Sequence, residues 1–172
     1  MSTDKPVFPK ISGDELRFGI VAARYNNALV EALVKRVLET FKQHNVSALH
    51  VELKRVPGSA ELPYMANMLA STGQFDCIVA LGVIIAGDTI HDEVIAQSTA
   101  QALTAVGFST EVPVINGILT TQTAEQAEER VNGKTDRGRE FALAALEMAR
   151  HKVDMIERLD ELIGPDGDWS AD

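Results

Sequence analysis

The chain is poor in cysteine: Cys77, inside "FDCIVALG", is the only one. A lone thiol closes no internal disulfide, and on an apolar run it reads as a small buried hydrophobe. One cysteine and scattered histidines give no ligand spacing, so no metal is expected. No Gly-x-Gly-x-x-Gly or P-loop run is present, which argues against a dinucleotide or nucleoside triphosphate. A serine-hydrolase elbow is missing as well. Long apolar runs are absent: Cys77–Ala86 falls far short of the roughly 18 residues of a membrane helix. The opening "MSTDKPVFPKISGDE" has no apolar core and does not read as a secretory signal, so a cytoplasmic protein is expected. Basic residues are the minority, 16 against 25 acidic, for a net charge of −9. That balance argues against nucleic acid or an anionic membrane as partner. It leaves room for an anionic small substrate held by local cations.

What is present is 45% hydrophobic residues in 172, enough for one domain with a real core. Residues 1–15 read as a flexible arm, 16–163 as a single domain and 164–172 as a tail. "RFGIVAA" (Arg17–Ala23) reads as a buried strand. Leu29, Leu33, Val37 and Phe41 recur at helical spacing, with the pair Asn26-Asn27 as the helix start. "ALHVEL" (Ala48–Leu53) reads as a second strand. "VPGSAELP" reads as a turn into a helix ending near Gly73. "CIVALGVII" is apolar throughout and predicts a central strand. A helix follows His91 to about Val106, and "VPVINGIL" (Val112–Leu119) is a fourth strand. Thr123 with Gln126 makes a capping-box signature for a helix to about Arg130. After "VNGKTDRG" comes "REFALAALEMARHKV", a helix that continues or restarts over Asp154–Ile163. Strands alternating with helices predict an α/β fold with a four-stranded parallel sheet covered on both faces.

In such sheets ligands bind beyond the carboxyl ends of the strands. Four turns lie there. Gly87-Asp88-Thr89 is read as opening a helix whose free N–H groups suit an anion such as phosphate; a plain cap, with Thr89 and Asp92 serving each other's backbone, explains it as well. His91 sits one turn on, where an imidazole can take and return protons. His44 and His151, near the ends of predicted helices, and His50, on a strand, read as structural. Tyr25 with Asn26 suits stacking and hydrogen bonding to a flat heterocycle, or a cap beside a packed ring. Glu61 can accept hydrogen bonds from a polyol or act as a solvated helix-start acid.

The pieces "ARYN", "VPGSAELP", "ALGVIIAGDTIH", "PVINGILTT" with "TAEQAEER", and "GREFALAALEMA" together resemble the lumazine synthase family over about Arg17–Ala149. The resemblance implies a three-layer flavodoxin-like fold. It implies a transferase of riboflavin biosynthesis that condenses 5-amino-6-(D-ribitylamino)uracil with 3,4-dihydroxy-2-butanone 4-phosphate and needs no cofactor. By that resemblance Tyr25 and Asn26 meet the pyrimidine, and Ser59, Ala60 and Glu61 hold the ribityl chain. Ile84 and Ile85 line the pyrimidine. Gly87, Asp88, Thr89 and Arg130 bind phosphate, and His91 transfers protons. Asn116 faces the adjoining subunit's site, Arg130 is contributed across the interface, and Arg137 lies near the pyrimidine, the sites lying between subunits of a pentamer or a multiple of pentamers. Riboflavin synthase is the implied protein partner.

The chain departs from the pattern in places. Ala86 stands where many relatives carry a cation, Ala60 where an aromatic is common, and Asn116 where phenylalanine is frequent. Asp92 replaces the usual aromatic after the histidine. Arg137 replaces a lysine, and a guanidinium differs in shape and fixed charge. These substitutions motivate an alternative: a catalytically weak paralogue kept for flavin binding or for building a shell.

Overall fold

The computed structural model describes residues 6–163. The tail expected at 164–172 lies outside the described residues. In chain order the elements are β1 (Phe18–Ala23), α1 (Asn27–Gln43), β2 (Val51–Val56), α2 (Leu62–Ala70), β3 (Cys77–Ile85), α3 (His91–Thr110), β4 (Val114–Thr121), α4 (Ala124–Asn132) and α5 (Arg137–Ile163). Every pairing is parallel, and the strand order is β2-β1-β3-β4. This is the expected α/β, flavodoxin-like arrangement.

Alternation along the two central strands builds the two cores. Phe18, Ile20 and Ala22 of β1, with Cys77, Val79 and Leu81 of β3, pack with α1 and α5. Val21 and Ala23, with Ile78 and Ala80, pack toward α2 and α3. All of β1 is buried, which is why its sequence is an unbroken apolar run. The Phe18 and Phe41 rings stack with centroids 4.3 Å apart and clamp α1 onto the sheet. Phe8 and Ile11 lie against the same core, and the Gly13 N–H donates to the His44 carbonyl at 2.7 Å.

Two strands are displaced from their expected bounds. Ala48–His50 is a 3-10 turn held by Ser47, whose hydroxyl accepts the Leu49 N–H, so β2 starts at Val51 and runs on to Val56. Its Lys54 and Arg55 hid it from an apolar reading; an edge strand tolerates charge because one side is solvated. β4 starts at Val114 rather than Val112, because Pro113 has no N–H to give, and ends on threonines paired with Ile84 and Ile85. The helix before it reaches Thr110, not Val106; the hydroxyls of Ser109 and Thr110 donate back to the Val106 carbonyl and keep the last turn.

α5 is one continuous helix to Ile163. His151 is therefore interior to a helix rather than near its end, and His50 closes the 3-10 turn rather than lying on a strand. Thr123 caps α4 as expected, accepting the Gln126 N–H, while the Gln126 side chain takes the N–H of Gln122.

Candidate active site

The strand order reverses between β1 and β3, and the chain ends facing that crevice build the site. After β1 the Arg24 N–H donates to the Val56 carbonyl at 2.9 Å and the Tyr25 N–H to Pro57 at 3.2 Å. The first turn is thereby stitched to the end of β2. The Tyr25 ring stays 73% exposed, above Gly58, where an added Cβ would come 3.2 Å from the ring. Asn26 takes the left-handed conformation, φ 54°, ahead of α1. Its amide does not cap that helix, one of the two readings the sequence left open, but donates to the Val83 carbonyl at 2.8 Å. The reason is a gap in the ladder: β1 pairs with β3 only as far as Leu81, so the next carbonyl on that side needs another donor.

The turn after β2 is tied by Glu61, whose carboxylate accepts the Gly58 N–H at 2.7 Å. Ser59 is buried beside Gly82 of β3; a Cβ on that glycine would fall 2.7 Å from the serine hydroxyl. Ala60 is exposed at the rim.

After β3 the Ala86 N–H donates to the Thr121 carbonyl at 2.8 Å, and the chain then leaves the sheet. Gly87, Asp88 and Thr89 form an exposed turn; the helix itself opens at His91, where the apolar pattern put it, so the Gly87 turn precedes the helix rather than opening it. The turn engages its own N–H groups only at the limit of hydrogen bonding, Gly87 to Asp92 at 3.5 Å and His91 to Thr89 at 3.4 Å. Those donors, at the positive end of a 20-residue helix, remain able to meet an anion. A Cβ at Gly87 would touch nothing within 4 Å, so the approach is open. His91 itself is exposed.

The three turns enclose a cavity of about 510 Å³. Tyr25, Asn26, Ser59, Ala60, Glu61, Ile84, Ile85, Gly87, Thr89 and His91 all line it; Asp88 does not. Gly58, Val83, Asp92 and Ile95 line it too and were not singled out as site residues. Ile95 follows His91 by one helical turn, a spacing that marks the same face. Among the described residues no lysine or arginine lines it, and Glu61 and Asp92 are acidic. The described residues of one chain thus offer backbone donors to an anion but no cation.

The remaining expected residues lie elsewhere. Asn116 is exposed on the edge strand β4, accepting the Ile118 N–H at 3.1 Å. Arg130 rests on α4, donating to the Gln126 carbonyl at 2.9 Å. Arg137 opens α5 with one guanidinium nitrogen on Glu140 at 2.7 Å and its Nε buried without a hydrogen-bond partner. These three do not meet the cavity of their own chain.

The other chemistry-bearing groups have structural surroundings. Cys77 is fully buried and burial pushes its thiol up, away from the reactive thiolate. His44 bonds the Ile11 carbonyl through Nδ1 at 2.8 Å. Among the described residues no group of three or more His, Cys, Asp or Glu converges as a metal site would require, and no helix is long and apolar enough to cross a membrane.

Comparison with known proteins places this geometry in a family. A family model described as 6,7-dimethyl-8-ribityllumazine synthase matches residues 15–152. Curated proteins of that name are similar over most of their length. The one from Thermococcus gammatolerans is 38% identical over 149 residues, 87% of this chain and 93% of its own. The one from Porphyromonas gingivalis is 41% identical over 138 residues, 80% and 86% of the two chains. The one from Halorhodospira halophila is 40% identical over 147 residues, 85% and 92%.

Proposed function

The chain belongs to the 6,7-dimethyl-8-ribityllumazine synthase family, a transferase of riboflavin biosynthesis, and from that premise we propose how its residues divide the reaction. The observation that carries the assignment is the convergence of three strand-end turns on one cavity holding His91, the Gly87–Thr89 turn and the Tyr25 ring.

The uracil lies against Tyr25, Ile84 and Ile85, its ribityl chain running to Ser59, Ala60 and Glu61. The butanone phosphate sets its anion on the N–H groups of the turn at Gly87 and Thr89, which line the cavity; Asp88, between them, lies outside it. The 5-amino group attacks the ketone carbonyl and loses water, giving an imine. A proton leaves the carbon skeleton and phosphate departs. The chain then swings round, the ribitylamino nitrogen closes the second ring, and another water is lost. His91 takes and returns the protons, an effect worth about 10²–10⁴-fold in rate. Holding two reactants in one cavity supplies much of the rest.

Among the described residues no cation lines the cavity, and Asn116, Arg130 and Arg137 of the same chain lie away from it. This supports a shared site: a neighbouring subunit of a pentamer, or of a multiple of pentamers, brings Arg130 to the phosphate and Asn116 and Arg137 to the pyrimidine side. The buried, unpartnered Nε of Arg137 fits a group that waits for an acceptor. Riboflavin synthase, which consumes the product, is the partner this reading implies. A charged, phosphorylated substrate, which does not cross a membrane unaided, supports a cytoplasmic location. No feature of the cavity favours an idle binding or shell-forming paralogue.

The test is direct. Purified protein mixed with both substrates develops the fluorescent lumazine and releases phosphate in equal amounts. Absence of product from a folded protein overturns the reading.

A further inference from the structure

Asp92 follows His91 and lines the same cavity, though the reaction as written asks nothing of it. It is the second residue of α3 and is half-buried. Its Oδ1 accepts the Gly87 N–H at 3.5 Å, and among the described residues its carboxylate makes no other hydrogen bond and no ion pair. The other acid of the cavity, Glu61, is firmly engaged, accepting the Gly58 N–H at 2.7 Å. Asp92 is therefore the loosely held negative charge of a cavity that no lysine or arginine of its own chain lines, among the described residues.

A carboxylate in the first turn of a helix is welcome at the positive end. An ordinary cap, however, serves the N–H groups of its own helix. Asp92 reaches back five residues to Gly87, which precedes the helix and lines the cavity. The donor it holds is the one assigned to the phosphate. A phosphate ester brings close to about two negative charges near neutral pH. A single N–H cannot serve both anions, and a half-buried carboxylate repels the second one through less water than an exposed one would. Binding the phosphorylated substrate must therefore push Asp92 off Gly87, and losing phosphate lets it return.

We propose that Asp92 is an internal competitor for the anion cradle, a residue that sets how loosely the site holds phosphate. In the empty site its carboxylate rests on the Gly87 N–H. The phosphorylated substrate displaces it. After elimination the carboxylate comes back to Gly87 and drives inorganic phosphate out, so the product does not block the next turnover. This rests on the placing of the phosphate at the Gly87 turn. Asp92 acts on affinity and release and takes no part in the bond changes.

Inhibition of lumazine formation by inorganic phosphate, measured on the full-length protein, tests this. Asp92→Asn removes the charge and keeps the shape. The Ki of inorganic phosphate and the KM of the butanone phosphate both fall by about ten-fold, while the KM of the uracil stays where it was. Glu93→Gln removes the same charge one residue on, at an exposed position outside the cavity, and leaves all three constants unchanged. Calorimetric titration with inorganic phosphate alone shows the same gain in affinity for Asp92→Asn. A parent protein that forms no lumazine removes the catalytic reading, and this titration then decides the role of Asp92 by itself. Should the asparagine variant lose helicity, Asp92→Ser is read in the same way. An unchanged or raised Ki in the folded variant, an equal effect of Glu93→Gln, or no phosphate binding to either parent or variant overturns the proposal.

Discussion

The side-chain amide of Asn26 fills a vacant rung of the sheet, donating to the Val83 carbonyl at 2.8 Å just beyond the last β1–β3 pair. It does so from a left-handed backbone, φ 54°, a conformation asparagine and glycine tolerate best. Asn26→Gly keeps the backbone and loses the bond, at a cost of about 1 kcal/mol. Asn26→Ala loses both, at about 2 kcal/mol. Urea unfolding of the two variants checks the order; equal losses would deny the strained backbone any share.

His91 and Arg130 lie on different elements, and only His91 lines the cavity. His91→Ala is expected to lower turnover by about 10²–10⁴-fold without changing stability, since the ring is exposed. Arg130→Ala is expected to raise the KM of the phosphorylated substrate far more than that of the uracil.

A shared site makes these two variants complement each other. When both are unfolded together in equal amounts and refolded, about a quarter of the interfaces combine an intact His91 with an intact Arg130 from the neighbour. Activity should recover to about that fraction of the parent. Mixed particles with no more activity than the separate variants place the whole site within one chain.

Gly82 of β3 leaves room for the buried Ser59 hydroxyl, which a Cβ would approach to 2.7 Å, with Leu62 at 3.2 Å. Gly82→Ala is expected to cost about 1–3 kcal/mol by overpacking. It should also displace the Ser59–Glu61 turn, raising the KM of the ribityl substrate while leaving that of the phosphorylated one nearly unchanged. Thermal unfolding and the two KM values together test it.

Asp136 joins the start of α5 to α1 through Arg36 and accepts the Arg139 N–H at 3.2 Å. The Arg36 guanidinium holds its carboxyl below the usual carboxylate value. A group depressed on folding stabilises fully above its unfolded value, about 3.9 for aspartate, and loses that contribution as pH falls through the lower folded value. Asp136→Asn should therefore lower stability at neutral pH by about 1 kcal/mol, a modest figure because both side chains are partly solvated. It should also flatten the loss of stability below about pH 4. Unfolding curves at neutral and acid pH check both.

The apolar runs of β1 and β3 were legible because a strand buried on both faces has no alternative composition. β2 was shifted because it carries charge at an edge, Lys54 in solvent and Arg55 half-buried against Glu31, and β4 because Val112 is buried without being in the ladder. The first ring of the cavity was legible residue by residue through family motifs. Val83 was not, since it takes part through its carbonyl, a group every residue carries. Ile95 was overlooked although its helical spacing from His91 could have pointed to it.

The sequence by itself determined the layers, the alternation of strand and helix, and the residue types available for proton transfer and anion binding, because periodicity and side-chain chemistry are local properties. Only the tertiary structure decided which turns meet in one cavity, that the Asn26 amide belongs to the sheet rather than to its helix, and that Asn116, Arg130 and Arg137 stand apart from that cavity. Such outcomes depend on where distant strands end relative to one another, a relation no local pattern encodes.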